Sequence, residues 1–282
     1  MLRSLKQREI KAAAKLAYNL SLNKATNSYT LRESFHEYEA AFNYAFDALN
    51  YELLGYFNNK ELIAVISFYT LKKDLYLQTN AVFIKTESET VLTEFINYLK
   101  VKYSGYEVFS GYPKENELII AFLLKQDFQI IESSIDMRLK RSEFTPSNII
   151  NPLIKTNHDN YFDFAEFHDK KALDVYWNSQ RIKADFDNWI IYAYCQASKV
   201  RASITIKRNV GEIFSLLIDE EIANIGIESD LITTSLRELF ADPNIEEVVF
   251  FIDSDDKKAY KYTKNLGFYV YSNYCCLSTK LT

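Results

Sequence analysis

Apolar residues follow two different rhythms along this chain, and the rhythms come in a repeating order. In ELIAVISFYTLKKDLYLQTNAVFI (61 to 84), β-branched and aromatic residues crowd two runs on either side of KKD. That pattern predicts two strands around a turn. In the next stretch, 85 to 103, Val91, Leu92, Phe95, Ile96 and Leu99 fall at helical spacing, and Thr86 with Glu89 forms a capping-box pattern. EVFSGY then predicts a strand, 116 to 128 a helix ending near Asp127, and QIIESSIDMRLK a closing strand.

The same order returns about 140 residues later, a distance that means a duplicated domain rather than an array of short repeats. VRASITIKRNVGEIFSLLIDE (200 to 220) predicts two strands around RNVG. Leu231, Ile232, Leu236 and Leu239 mark the apolar face of a helix over 227 to 240. EEVVFFID (246 to 253) is almost continuously apolar, which predicts a strand buried on both faces. KKAYKYTKNLGF then predicts a helix, and YVYSNYCCLSTK a last strand. ESETV at 87 to 91 answers ESDLI at 228 to 232, and DF at 127 to 128 answers GF at 267 to 268.

Between the halves lies SEFTPSNIINPLIK (142 to 155), which holds two of the four prolines, Pro146 and Pro152. Proline disfavours helix just before itself and cannot pair within a central strand. The expected division is therefore a domain over 1–143, a linker over 144–155 and a domain over 156–282. In each half a helical crossover joins two strands of a largely antiparallel set. The predicted class is α/β of the α+β kind: a mixed, mostly antiparallel sheet with helices on both faces.

Composition narrows the chemistry. The net charge of −5 over 282 residues leaves no electrostatic footprint for nucleic acid. No apolar run is long enough for a membrane span, and MLRSLKQREIKAAAKLAYN lacks an apolar signal core, so a cytoplasmic chain is expected. Cys195, Cys275 and Cys276 form no CxxC pair, and His36, His158 and His168 have no metal-ligand spacing, so no metal is expected. In DSDDKK (253 to 258), a solvated loop capping the next helix is a better reading than a metal cluster.

The order of elements, seen twice, resembles the GCN5-related N-acetyltransferase (GNAT) superfamily. EIFSLLIDEEIANIGIESDLITTSL (212 to 236) looks like the family's acyl-CoA-binding strand, loop and helix, and VVFFIDSDDKKAYKYTKNLGF (248 to 268) like its second conserved block. The resemblance implies acetyl-CoA or another acyl-CoA as co-substrate, with direct transfer to the amine of a small molecule or peptide. It implies main-chain N–H groups around Leu217 and Ile218 polarising the acyl carbonyl. It also implies a phosphate loop at Asn224, Ile225, Gly226, Ile227 and Ser229, and a further contact near Asp256. A helix start suits the pyrophosphate because its N–H groups are unpaired.

Where the family has Gln or Arg this chain has Ala223, and Glu228 stands in place of the last small residue of the loop. The equivalent stretch of the first half, FIKTESE, has no glycine. The first half is therefore expected to be a degenerate copy and the second the candidate acyl-CoA-binding domain. The family's thiol-protonating tyrosine lies five residues before the Phe of Gly-Phe. That count lands on Thr263, with Tyr262 one residue, or about 100° of helix, away. Both are candidates, while Glu212, Asp219 and Asp253 are possible bases. Trp177 and Trp189 suit either an acceptor pocket or a core. Gly267 is expected to stop a helix in the left-handed conformation, with Asp127 as its tolerable substitute in the first half. The rival reading is a tandem GNAT-fold binding or scaffold protein without catalysis. Transfer from aminoacyl-tRNA finds no basic segment to support it.

Overall fold

A computed structural model describes residues 1–85, 89–173, 175–222 and 226–282. Among them the chain forms, in order, β1 (Leu2–Ser4), α1 (Ile10–Ser21), α2 (Phe35–Asp47), β2 (Tyr51–Asn58), β3 (Glu61–Leu71), β4 (Tyr76–Ile84), α3 (Glu89–Lys102), β5 (Glu107–Pro113), α4 (Glu117–Leu124) and β6 (Gln129–Lys140). There follow β7 (Ile154–Lys155), α5 (Tyr161–Lys171), α6 (Ser179–Ala184), β8 (Trp189–Gln196), β9 (Lys199–Lys207), β10 (Glu212–Ile218), α7 (Ile227–Leu239), β11 (Glu247–Asp253), α8 (Lys257–Asn265) and β12 (Tyr269–Lys280). The predicted capping box at Thr86 lies outside the described residues.

The chain divides into two units that do not follow the expected boundary. Unit 1 is Met1–Ser134 together with Asn273–Thr282, and unit 2 is Ile135–Ser272. The chain leaves unit 1 in the middle of β6 and returns to it within β12. The proline-rich stretch is no free linker. Asp230 of α7 accepts hydrogen bonds from the main chain of Ile150 (3.3 Å) and Asn151 (2.8 Å) and from the Asn151 amide (2.7 Å). Arg237 donates to Ser147 O at 3.0 Å, and β7 pairs with β8. Two prolines break helix and strand locally, but they do not prevent the chain from being tied down by side chains elsewhere.

In unit 1 the strand order is β1-β2-β3-β4-β5-β12. All neighbours are antiparallel except β4 and β5, which α3 joins as a parallel crossover. Residues of alternate parity feed two cores. Ile66, Phe68, Leu77 and Val108 pack with α3 and α4, while Val65, Ala81 and Phe83 pack with α1 and α2. Unit 2 repeats this plan in the order β6-β11-β10-β9-β8-β7, with α7 joining the parallel pair β10 and β11. Ile204, Ile213, Leu231 and Leu236 share a core with Ala259 of α8 and Phe268 beyond it, and Trp189 and Ile191 share another with α5 and α6.

The expectation that β11 is buried on both faces is corrected. Val248, Phe250 and Ile252 are buried, but Val249 and Phe251 are only half-buried. The second core draws its buried strand residues from β8, so that face of β11 stays partly open. Two helix stops are as expected: Gly267 has φ +95° and Asp127 has φ +64°.

Candidate active site

The parallel strands of unit 2 touch only at their beginnings. Glu212 and Ile213 are in register with Val249 and Phe250, and no later pair of β10 and β11 residues is. A bulge at Phe214 separates the two halves of β10: Ile213 opposes Ile206, and Ser215 opposes Thr205. Beyond the bulge β10 keeps β9 as neighbour on one side and, among the described residues, pairs with no strand on the other, which leaves a gap there. Asp219 N donates to Arg201 O of β9 at 2.8 Å. Main-chain groups alternate along a strand, so Leu217 also faces β9, whereas Leu216 and Ile218 turn toward the gap. Of the two expected main-chain donors, Ile218 turns toward the gap and Leu217 toward β9. Leu216 turns toward the gap instead, because the bulge shifts the alternation by one residue.

Unit 1 has the same divergence. Its β4 and β5 are in register only at Tyr76–Gln78 and Glu107–Phe109, and a bulge interrupts β4 near Asn80. Here the gap is filled by the chain itself. Tyr29 N donates to Gly111 O at 3.0 Å, and Thr30 N to Asn80 O at 3.3 Å. Ser28 Oγ accepts from Val82 N at 3.1 Å, and Asn116 Nδ2 donates to Asn27 O at 2.8 Å. Asn27–Thr30 thus bridges both strands as an inserted peptide. Burial records the difference: Ala81–Ile84 of β4 are all buried, while Ser215–Ile218 of β10 are all half-buried. Nothing in the pattern of residues 27–30 signalled this insertion.

In unit 2, α7 follows β10 along the chain. Of the expected phosphate loop, Asn224 and Ile225 lie outside the described residues, as does Ala223. Gly226 is the N-cap of α7 at φ +80°, with open space where a side chain would stand and no side-chain cap. Ile227 is fully buried in the core, so only its main chain is available. Ser229 is half-buried in the first turn. Glu228, also in that turn, is buried, and its carboxylate accepts from Lys258 Nζ at 3.2 Å. Lys258 was not singled out in the sequence because the pairing depends on how α7 and α8 meet.

On α8, Asp256 is the N-cap and accepts from Ala259 N at 2.8 Å. The Thr263 hydroxyl is buried and donates to Ala259 O (2.8 Å) and Tyr260 O (3.0 Å), so its proton is committed to the helix and it is no acid. Tyr262 is half-buried, and its hydroxyl has no hydrogen-bond partner among the described residues. Burial pushes this phenol well above its ordinary value, and the Asp256 and Glu228 carboxylates push it further the same way. It stays protonated, a donor and not a base. Among the possible bases, Asp219 is held by Lys171 (2.7 Å) and Arg201 (2.8 Å), and Asp253 accepts from Asp255 N at 3.2 Å. Glu212 is half-buried at the start of β10, where it is in register with Lys207 of β9 and Val249 of β11, before the bulge.

Solved structures share this architecture over the whole chain. A GCN5-related N-acetyltransferase from Sphaerobacter thermophilus is 11% identical, with TM-score 0.69, covering 100% of this chain and 95% of its own. A tandem GNAT protein from the clavulanic acid biosynthesis pathway is 8% identical, with TM-score 0.62 and coverage of 100% and 99%. A GNAT-family acetyltransferase from Colwellia psychrerythraea is 13% identical, with TM-score 0.52 and full coverage of both chains. No protein-family model and no curated protein matches the sequence. The chain has the fold of the GCN5-related N-acetyltransferases in tandem, a mixed sheet with helices on both faces. No helix among the described residues is long and apolar enough to cross a membrane.

Proposed function

We propose that unit 2 is an acyl-CoA-dependent N-acyltransferase and that unit 1 is a structural copy closed by its own chain. One contrast carries this reading: the strand gap is filled by Asn27–Thr30 in unit 1, whereas in unit 2 it leaves Ser215–Ile218 half-exposed. The residues present fit an acyl-CoA at the thioester end. Leu216 and Ile218 turn main-chain groups into the gap, and Tyr262, a neutral phenol on α8, packs against the same core as their side chains. They fit less well at the phosphate end, where Gly226 leaves an open, uncapped helix start but Glu228 adds a carboxylate.

Acyl-CoA supplies the acyl group as a thioester, to be attacked by an unprotonated amine. The N–H groups of Leu216 and Ile218 stabilise negative charge developing on the carbonyl oxygen. Tyr262 donates its proton to the departing sulfur, and Glu212, on the opposite side of the bulge, takes one from the amine directly or through water. Lys258 offsets part of the Glu228 charge at the helix start.

Calorimetric titration with acetyl-CoA tests the reading, together with Tyr262→Phe. Binding with a loss of turnover of about 10²-fold or more in the variant is expected for a general acid. Absence of binding would favour the second reading, a non-catalytic module, for which the buried Glu228 carboxylate is the specific support.

A further inference from the structure

The bulge that opens the gap also aims one ring at a cluster of others. Phe214, the bulged residue, is 37% exposed. Its ring centroid lies 5.4 Å from that of Trp189 and 6.3 Å from that of Trp177, each in edge-on geometry. Trp177 and Trp189 meet at 5.3 Å. Lys207 Nζ sits 3.4 Å above the Trp177 ring and 5.0 Å from that of Trp189, and pairs with Asp185 at 3.1 Å. The cluster thus holds its own cation and that cation's counter-ion. Beside it, Thr205 and Ser215 satisfy each other at 2.7 Å.

We infer that this wall is the acceptor subsite and that the acceptor is a primary amine on an apolar, aromatic body. The inference rests on the acyltransferase reading of the same gap. Phe214 stands about 7 Å along the strand from Leu216, whose main chain faces the gap. An amine whose body lies against Phe214 therefore reaches the polarising N–H groups with a linker of two or three atoms. The cation position over the tryptophans is taken by Lys207, so a second fixed charge finds no box there. Glu212, in register opposite Lys207, brings a carboxylate to the same face, which suits one ammonium and not several. Rings prefer edge-on or offset contact with rings, which an aromatic body supplies and a polyamine does not.

The chain has two tryptophans, both in this cluster, so intrinsic fluorescence reports the site directly. Titration with 2-phenylethylamine is expected to change the emission saturably, and spermidine at equal concentration to leave it unchanged. Phe214→Ala, and Phe214→Leu as a variant that keeps bulk, should each weaken phenylethylamine binding by about fivefold or more, the scale of one lost ring contact. An unchanged affinity in a folded Phe214→Leu protein overturns the inference, as does tighter binding of spermidine or the absence of any saturable change. Acetyl-CoA is titrated separately by calorimetry. Amine binding without acetyl-CoA binding defeats the acyltransferase reading and leaves an amine site. Acetyl-CoA binding without amine binding defeats the inference alone.

Discussion

On the proposed acyl-CoA reading, removing the charge of Glu228 should strengthen phosphate binding at the start of α7. The carboxylate is buried in the first turn of α7, where main-chain N–H groups point outward without a side-chain cap. A phosphate charge placed ~6 Å from it is repelled by about 3 kcal/mol at an effective dielectric constant of ~20. Lys258, at 3.2 Å, cancels part of that field, but it does so by being engaged with Glu228. Glu228→Gln keeps the shape, removes the repulsion and releases the ammonium for the ligand. A net gain of about 1.4 kcal/mol or more, tenfold in Kd, is expected for acetyl-CoA. The helix loses about 0.3–1 kcal/mol of dipole stabilisation, which a urea melt measures independently. Calorimetry at two ionic strengths is the assay, and the gain should shrink with salt. Lys258→Met has the opposite sign and should weaken binding. If Glu228→Gln binds no more tightly than the parent at equal salt, the phosphates do not approach this turn. The family-like pair Glu228→Gly with Ala223→Arg should exceed the single change, because a guanidinium adds a charge-assisted contact to phosphate.

Leu236 is fully buried in the core of unit 2, so Leu236→Ala should cost roughly 2–5 kcal/mol in denaturant unfolding. A cost below about 1 kcal/mol would mean that the cavity collapses without loss. Asp127 holds φ +64°, a conformation that costs a side-chain-bearing residue about 1–2 kcal/mol. Asp127→Gly should therefore stabilise unit 1, and a lower midpoint in urea would contradict this. The Arg3 guanidinium, hydrogen-bonded to Glu9 at 2.8 and 2.9 Å, lowers that carboxyl from 4.5 to about 2, helped by the Lys6 main chain and opposed by burial. A lowered value means stability that is present above the unfolded value and lost as pH falls toward 2. The difference in stability between the parent and Glu9→Gln should thus be full near neutrality and vanish near pH 2.

Local pattern was enough to place the strands around KKD and RNVG, the helix faces of α3 and α7 and the two left-handed helix stops. Each depends on residues within one or two turns of chain. The features on which the proposed function rests depend on contacts between distant segments. Phe214 gives no local sign of being a bulge, because the register of β10 is set against β9. Thr263 was a reasonable candidate by counting from Phe268, but its hydroxyl bonds back to the preceding turn, a choice that counting does not reveal. The division of the units within β6 and β12 likewise depends on long-range contacts. Pro146 and Pro152 mark irregular chain, and irregular chain is not free chain when Asp230 and Arg237 hold it.

The exchange of strands between sequence halves has a consequence for biosynthesis. Within unit 1, β5 is covered by the part of β12 that runs from Tyr274 to Lys280, and the Ser278–Glu107 hydrogen bond joins residues 171 positions apart. At ~5–20 residues per second, a ribosome needs on the order of 10–30 s to make the intervening chain. Throughout that interval the nascent β5 carries an open edge, a row of unpaired N–H and C=O groups able to recruit any passing strand. Unit 1 thus emerges first and is finished last, so its yield in the cell should respond to translation speed and to chaperones that shield edges, even where its equilibrium stability is unchanged.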